Sequence, residues 1–219
     1  MSIEHHPPDA MLMAFAAGTL DHGQHVAIAT HLVSCPQCRR FMRAMEQVGG
    51  EVLASIPPES MSNRALAEVE ARLDEPVRRL ADHAPQMPPA LPETEAPRLP
   101  SFVRRYRFGD WKWIAPSVHL RPIALPYASE TRVFLLKSGP GTRMLQHTHT
   151  GMEMTCVLSG AFSQDGARFG PGDFDLGDET IDHRPVVEPG QDCICLVAMQ
   201  GELALRGLIG RIVQPFVRL

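Results

Sequence analysis

The sequence lacks any apolar run of about 18 residues, the length an α-helix needs to cross a bilayer, so no transmembrane helix is expected. It also lacks a basic surplus, with 21 Lys+Arg against 25 Asp+Glu and a formal net charge of −4. Residues 1–80 carry 7 basic and 10 acidic side chains, and residues 101–219 carry 13 and 12. Neither half has the positive excess that phosphate-backbone binding needs. A DNA-binding repressor would have to rest on the three arginines of RRFMRAMEQ, in a half that is net acidic. Cysteine is scarce: five in 219 residues, two of them in one C-x-x-C, do not make a secreted disulfide framework. The opening MSIEHHPPDA is polar and lacks the basic and apolar regions of a signal peptide, so a cytoplasmic protein is expected. No internal repeat of 20–50 residues is evident.

What the chain does have is a sharp internal boundary. APQMPPALPETEAPRLP, residues 84–100, holds six prolines in 17 residues, a density that prevents helix and central strand and favours an extended spacer. Before it the pattern is helical. Asp9 can cap a helix through AMLMAFAA that ends near Gly18. A second helix follows Asp21 and reaches about Ser34, with Val26, Ala29 and Val33 on one face and Ile28 and Leu32 beside it. A third fits PQCRRFMRAMEQV, with Pro36 at its first position and Gly49-Gly50 as its stop. A fourth fits SMSNRALAEVEARLD, where Leu66, Val69 and Leu73 share a face. After the spacer, short β-prone runs (RVFLLKSGPG, MEMTCVLSGAF, ARFGPGDFDLG, HRPVVEPG, QDCICLVAM) alternate with glycine and proline, which reads as a β-sandwich or barrel. The expected organisation is α + β in two domains, helical over 1–80 and β over 101–219, joined by a linker over 81–100.

HLVSCPQC, residues 31–38, places His31 four residues before Cys35 and Cys38 three after it. Residues four apart share a helix face, so His31 and Cys35 can address one point. Cys35 would cap the next helix and Cys38 lie in its first turn, where unpaired N–H groups and the helix dipole favour anionic sulfur. Tetrahedral zinc needs a fourth ligand, which His5 or His6 could supply. Two other readings exist: a redox pair, for which no βαβ context is present, and unligated buried thiols. His22 and His25 read as solvent-facing, and His83 and His119 have no role. Met11, Met13 and Phe15 with Leu12 either pack on the other helices or form a face awaiting a partner.

In GTRMLQHTHTGMEMTCVLSG, residues 141–160, His147 and His149 point the same way from a strand. Glu153 can return its carboxylate after a turn at Thr150-Gly151, and this donor set suits zinc, iron, manganese or nickel. Cys193 and Cys195 share one strand face, and Cys156 follows Glu153. They read as buried apolar thiols or, more sharply, as targets of a reactive species bound near the metal.

His6 followed by H-x3-C-x2-C resembles the zinc-binding anti-sigma domain of bacterial regulators, which implies His6, His31, Cys35 and Cys38 as zinc ligands. The pattern G-x5-H-x-H-x3-E-x6-G resembles the first motif of the cupin fold. The second motif, G-x5-P-x-G-x2-H-x3-N, is kept at Gly172 and His183 but departs at Asp178, Thr180 and Val187. That resemblance implies a single-cupin jelly-roll barrel with a divalent metal, zinc or another, on His147, His149, Glu153 and His183. In this order the two motifs resemble the ChrR-type anti-sigma factors. The resemblance implies an N-terminal domain that binds and inhibits an extracytoplasmic-function sigma factor, and a cupin that releases it under oxidative stress, singlet oxygen in particular. A regulator of that kind is expected not to be an enzyme, and the charge balance and hydropathy already expect no direct nucleic-acid contact and no membrane. The alternative is a metal-dependent cupin enzyme of the dioxygenase or isomerase class with an accessory zinc module.

Overall fold

The computed structural model describes residues 2–73, 91, 99–127 and 129–205, with residues 203–205 described by backbone alone. Most of the expected 81–100 linker, and His83 with it, lies outside the described residues.

Four helices come first: α1 (Asp9–Ala16), α2 (His22–Ser34), α3 (Pro36–Ser55) and α4 (Ala65–Leu73). The second helix starts where the sequence places it, with the Asp21 side chain accepting from Gln24 N and the Gln24 side chain from Asp21 N. Asp9 does not cap α1. The residue ahead of the helix is Pro8, and Asp9 instead places its charge in the first turn. Nor does Gly49-Gly50 end α3, which continues to Ser55. Interior glycine costs only about 1 kcal/mol relative to alanine, and no proline forces a break. The face of α2 that is buried also differs from expectation: Val33 is exposed, whereas Val26, Ala27, Ile28, Thr30 and His31 are buried. Helix α4 buries no residue, so the packed helical unit is α1 to α3.

The second half is β-rich. A seven-stranded antiparallel sheet has the order β1 (Arg107–Phe108), β3 (Val118–Ala124), β4 (Thr131–Ser138), β11 (Cys193–Gln200), β6 (Glu153–Ser159) and β9 (Phe174–Gly177), with β2 (Lys112–Ala115) also paired to β3. Two smaller sheets complete it: β10 (Val186–Val187), β7 (Phe162–Gln164) and β8 (Ala167–Phe169) form one, and β5 (His147–His149) pairs with β12 (Leu203–Leu205) in the other.

The large sheet is covered on both faces, which period-two alternation makes visible along β11. Cys193, Cys195, Val197 and Met199 point inward to a cluster with Phe134, Val157, Phe162, Phe169 and Val187. Leu196 and Ala198 point outward, with Val133, Leu135, Met154 and Cys156, into a cluster shared with Val26, Ala27 and Ile28 of α2. Helix α2 is therefore seated on the sheet, and the helical and β halves share one hydrophobic core. Gly23 makes the approach possible, because a Cβ there would meet the Thr131 Cβ and carbonyl oxygen at 2.7 Å. Beside it, Thr131 Oγ1 donates to the Asp21 carboxylate at 2.5 Å. Leu99, at the end of the proline-rich stretch, and Val103, just past it, are buried in the same cluster.

Candidate metal centres

The first cluster gathers donors from three segments. His31 lies in the last turn of α2, Cys35 is both the C-cap of α2 and the N-cap of α3, and Cys38 lies in the first turn of α3. His6 comes from the strap of chain preceding α1. His31 Nε2 is 3.3 Å from Cys38 Sγ, and His6 Nδ1 is 3.4 Å from Cys35 Sγ and 3.5 Å from Cys38 Sγ. Tetrahedral zinc with ordinary Zn–S and Zn–N bonds spaces such atoms by about 3.5 Å, so the donor set fits. Each of the four offers an atom within 4.8 Å of all the others.

The local chemistry points the same way. Cys38 N–H donates to Cys35 Sγ, a bond that favours anionic sulfur. Burial, and then the neighbouring Cys35, push the Cys38 thiol up to about 12, so a nearby cation is what would make thiolate available there. His31 is held down to about 4, mainly by burial, and is therefore the neutral imidazole that a metal would require. Its Nδ1–H donates to the Gly172 carbonyl at 2.8 Å, which leaves the Nε2 lone pair facing the sulfurs. This carbonyl partner, from the turn between β8 and β9, is not visible in the sequence, where Gly172 reads only as a motif glycine. His5 points away from the cluster and stacks on Phe169 with ring centroids 4.1 Å apart.

The second cluster is built on a backbone bridge. His147 N donates to His183 O and His183 N to His147 O, both at 3.1 Å, so the two side chains emerge together. His149, two residues along β5, shares that face. His183 Nε2 lies 2.9 Å from His147 Nε2 and 3.2 Å from His149 Nε2. Three ring nitrogens at that spacing match the roughly 3.3 Å that tetrahedral ligands would have. His147 Nδ1–H donates to Leu145 O at 2.7 Å, fixing Nε2 as the free lone pair. All three imidazoles are buried and their pKa values lowered, foremost by burial, with His183 held to about 4. Converging neutral lone pairs call for a proton or a cation between them. His149 Nδ1 and His183 Nδ1 are buried without a hydrogen-bond partner among the described residues.

Glu153 stands beside this trio rather than within it. Its Oε2 lies 3.7 Å from His149 Nδ1, the nitrogen turned away from the other two histidines, and its Oε1 accepts from Thr155 Oγ1. Burial raises its pKa, and Asp175, which the sequence reading did not single out, is raised to about 6 by burial and then by Glu153. The cavity behind the trio, about 160 Å³, is lined by His147, His183, Glu153 and Asp175 together with apolar side chains from the seven-stranded and the three-stranded sheet. Cys193 and Cys195 also face it, with sulfurs 3.7 Å apart. Cys156 lies on the other face of the sheet, in the cluster under α2, where the plain reading as a buried apolar thiol fits. At the three positions that depart from the cupin motif, the chain makes its own turn. Asp178 Oδ1 accepts from Thr180 N and Thr180 Oγ1, an Asx-type turn in place of the proline and glycine. Val187 is a buried member of the inner cluster. His22, expected to face solvent, is half-buried with its ring 2.9 Å from Tyr106 Oη, whereas His25 is exposed and stacks on Phe15.

Among the described residues, no helix is long and apolar enough to cross a membrane. Residues 102–203 match the family described as ChrR Cupin-like domain, and residues 9–39 match a putative zinc-finger family, a span that begins just after His6. Over its whole length the chain is 37% identical to the anti-sigma-E factor ChrR of Cereibacter sphaeroides, which is also covered completely. The crystal structure of Rhodobacter sphaeroides SigE in complex with the anti-sigma ChrR matches with 35% identity and a TM-score of 0.74, covering 91% of this chain and 100% of that one. With both motifs in order, both halves of the fold and identity along the full chain, the protein belongs to the ChrR family of anti-sigma factors.

Proposed function

We propose that this protein binds an alternative sigma factor of the extracytoplasmic-function type through its N-terminal helices and keeps it from RNA polymerase. The observation that carries the reading is an apolar surface left exposed among the described residues. On α4, Leu66, Val69 and Leu73 repeat at helical spacing and are 68%, 56% and 76% exposed. On the second half of α3, Val48, Val52 and Leu53, and at its C-cap Ile56, are 56–72% exposed. Isolated exposed aliphatic residues are ordinary, but stripes on two successive helices suit an amphipathic partner. Helix α1 contributes less, since Leu12 is buried and Met11 and Phe15 are half-buried. Zinc on His6, His31, Cys35 and Cys38 would hold α2 and α3 in the geometry that presents this surface. The division into a helical unit over 1–80, a linker over 81–100 and a jelly-roll cupin over 101–219 belongs to the same proposal, as do a cytoplasmic location and a regulatory rather than enzymatic role.

The test is co-purification of the full chain with an extracytoplasmic-function sigma factor, with Leu66→Glu and Val69→Glu as variants. Loss of the complex by about 100-fold in Kd, with metal content unchanged, is expected. Undiminished binding in both variants would overturn the proposed surface.

The cupin is the sensing half in this reading, with a divalent metal on His147, His149 and His183 and with Glu153 as fourth ligand or as neighbour. Oxidative stress, including singlet oxygen, would act at this site. Ala replacements at His147 and His149 that left stress-induced release intact would sink the sensor role. The cavity beside the histidines favours one other reading, a metal-dependent enzyme, because it gives a small molecule room next to a candidate metal. Turnover of a diketone by the metal-loaded protein would decide for it.

A further inference from the structure

The strap that carries His6 belongs to neither the helical core nor the sheet, yet it is held in register by one buried carboxylate. Asp173 is 5% exposed and both of its oxygens are used. Oδ1 accepts from Glu4 N at 2.8 Å and His5 N at 3.0 Å, and Oδ2 accepts from Gly170 N at 2.7 Å. The next residue returns the contact, since Phe174 N donates to His5 O at 3.1 Å. His5 closes the strap with its ring stacked on Phe169 and its Nε2 3.1 Å from Arg168 O. His6 follows immediately, and the proline after it disfavours a helical backbone at that position.

The same turn reaches the zinc cluster a second time, through the Gly172 carbonyl that accepts from His31 Nδ1. Glycine at 172 has φ +94, and a Cβ there would stand 2.6 Å from Ile3 Cδ1, so strap and turn are fitted against each other. Two of the four donors, His6 and His31, are thus oriented by the turn between β8 and β9. The two cysteines are oriented by the start of α3.

We propose that Asp173 is a positioning residue for the zinc cluster: a latch from the cupin half that holds the His6 strap and sets how long the metal stays in the helical half. It acts through backbone N–H groups and touches no ligand atom. The proposal rests on the zinc reading of His6, His31, Cys35 and Cys38. Charge-assisted bonds to backbone N–H groups are among the stronger hydrogen bonds, and removal of partners that orient metal ligands commonly costs 10–100-fold in metal affinity.

The test uses the full chain loaded with Co²⁺, whose thiolate charge-transfer absorption reports only on the cysteine-containing cluster, since the histidine trio has no sulfur. Decay of that band is followed after addition of excess EDTA. Asp173→Ala is expected to lose the band about tenfold faster than the parent or more. Asp173→Asn should fall between, because an amide oxygen still accepts from Glu4 and His5 while its nitrogen cannot accept from Gly170. Arg168→Ala removes an exposed ion pair to Glu188 close to the same turn and should decay at the parent rate. Parent-like decay in both Asp173 variants would overturn the latch, as would Arg168→Ala decaying as fast as Asp173→Ala. If Asp173→Ala does not fold, the Asn variant carries the same comparison. No thiolate band in the parent would sink the zinc reading itself, whereas a band indifferent to residue 173 would sink only the latch.

Discussion

The two histidine-bearing clusters are close in size and differ in how they are closed. The first brings His6, His31, Cys35 and Cys38 from three segments into a four-donor shell whose His31, Cys35 and Cys38 are buried, and two of the four are sulfur. The second holds three neutral imidazoles on a backbone bridge and opens on one side to a cavity of about 160 Å³. A complete four-ligand set with thiolates is the pattern of structural zinc, and three protein ligands with an open position is the pattern of a site that exchanges or reacts. The difference teaches that a metal at the first cluster would belong to the fold, and one at the second to whatever the cavity admits.

The largest effect should come from attacking that contrast directly. Apparent binding free energies of structural zinc, about 10–16 kcal/mol in zinc-finger peptides, rival the roughly 5–15 kcal/mol stability of a whole domain. Cys38→Ser should therefore lose zinc and melt α1 to α3, exposing Met154, Leu196 and Ala198 on the outer face of the sheet. A fall in helical circular dichroism with a rise in hydrophobic-dye binding is the expected result. His183→Ala should lose metal only from the second cluster and keep its helical signal. Equal loss of helix in the two variants would erase the distinction.

Acidity should separate the clusters next. His31 and His183 are each held to about 4, mainly by burial, against about 6.5 in an unfolded chain. Between those values the unfolded chain binds more protons, so this stability is complete above about pH 6.5 and is lost as pH falls through the window toward 4. Above pH 6.5 the clusters part. Binding to two thiols releases two protons, so affinity at the first cluster should rise by up to about 100-fold per pH unit, while the neutral imidazoles of the second have none to release. Metal titrations at pH 6.5 and 7.5 check this, and parallel slopes would mean that sulfur is not ligating.

Much of each cluster was legible because its spacing is local. H-x3-C-x2-C falls on one helix end and the start of the next, and H-x-H falls on one strand face, so period alone aligns those side chains. What the sequence could not supply is long-range: that Gly172 would orient His31, that His183 would bridge His147, or that Glu153 would stand behind His149. Gly49-Gly50 misled because a breaker's cost is small beside the rest of a helix. Reading the helix as ended there hid the stripe from Val48 to Ile56. Strands β2 and β3 went unread because Pro116 and Pro122 interrupt WKWIAPSVHLRPIA, and proline counts against a strand from pattern alone. The shared core was hidden for the same kind of reason, since an outward apolar row such as Leu196 and Ala198 reads the same whatever covers it.

That shared core offers a sharper comparison, between a helix clamped to the sheet and one standing free. Gly23→Ala would push a Cβ to 2.7 Å from the Thr131 backbone oxygen, so α2 must lift or tilt. A cost of about 1–3 kcal/mol is expected from such overpacking, read as a lower melting temperature. Glycine-to-alanine changes at Gly49 or Gly50, where a Cβ meets nothing within 4 Å, should instead stabilise α3 by roughly 0.5–1 kcal/mol. A stabilised Gly23 variant would show that the seat of α2 on β4 is looser than its geometry.

The smallest effect isolates what Asp21 does at that seat. One carboxylate oxygen accepts from Gln24 N at 2.9 Å and caps α2, and the other accepts from Thr131 Oγ1 at 2.5 Å and ties the helix to β4. Asp21→Ala removes both and should cost about 1–2 kcal/mol, the usual range for a lost cap. Asp21→Ser keeps a cap but has one oxygen, so the bond from Thr131 is lost and about 0.5–1.5 kcal/mol should remain. Thr131→Val tests the tie from the other side, and its effect should shrink in the Asp21→Ser background, because the contact it removes is already gone. If the Thr131→Val cost is instead the same in both backgrounds, the bond across the halves contributes nothing, and apolar contact between α2 and the sheet alone holds the helix in place.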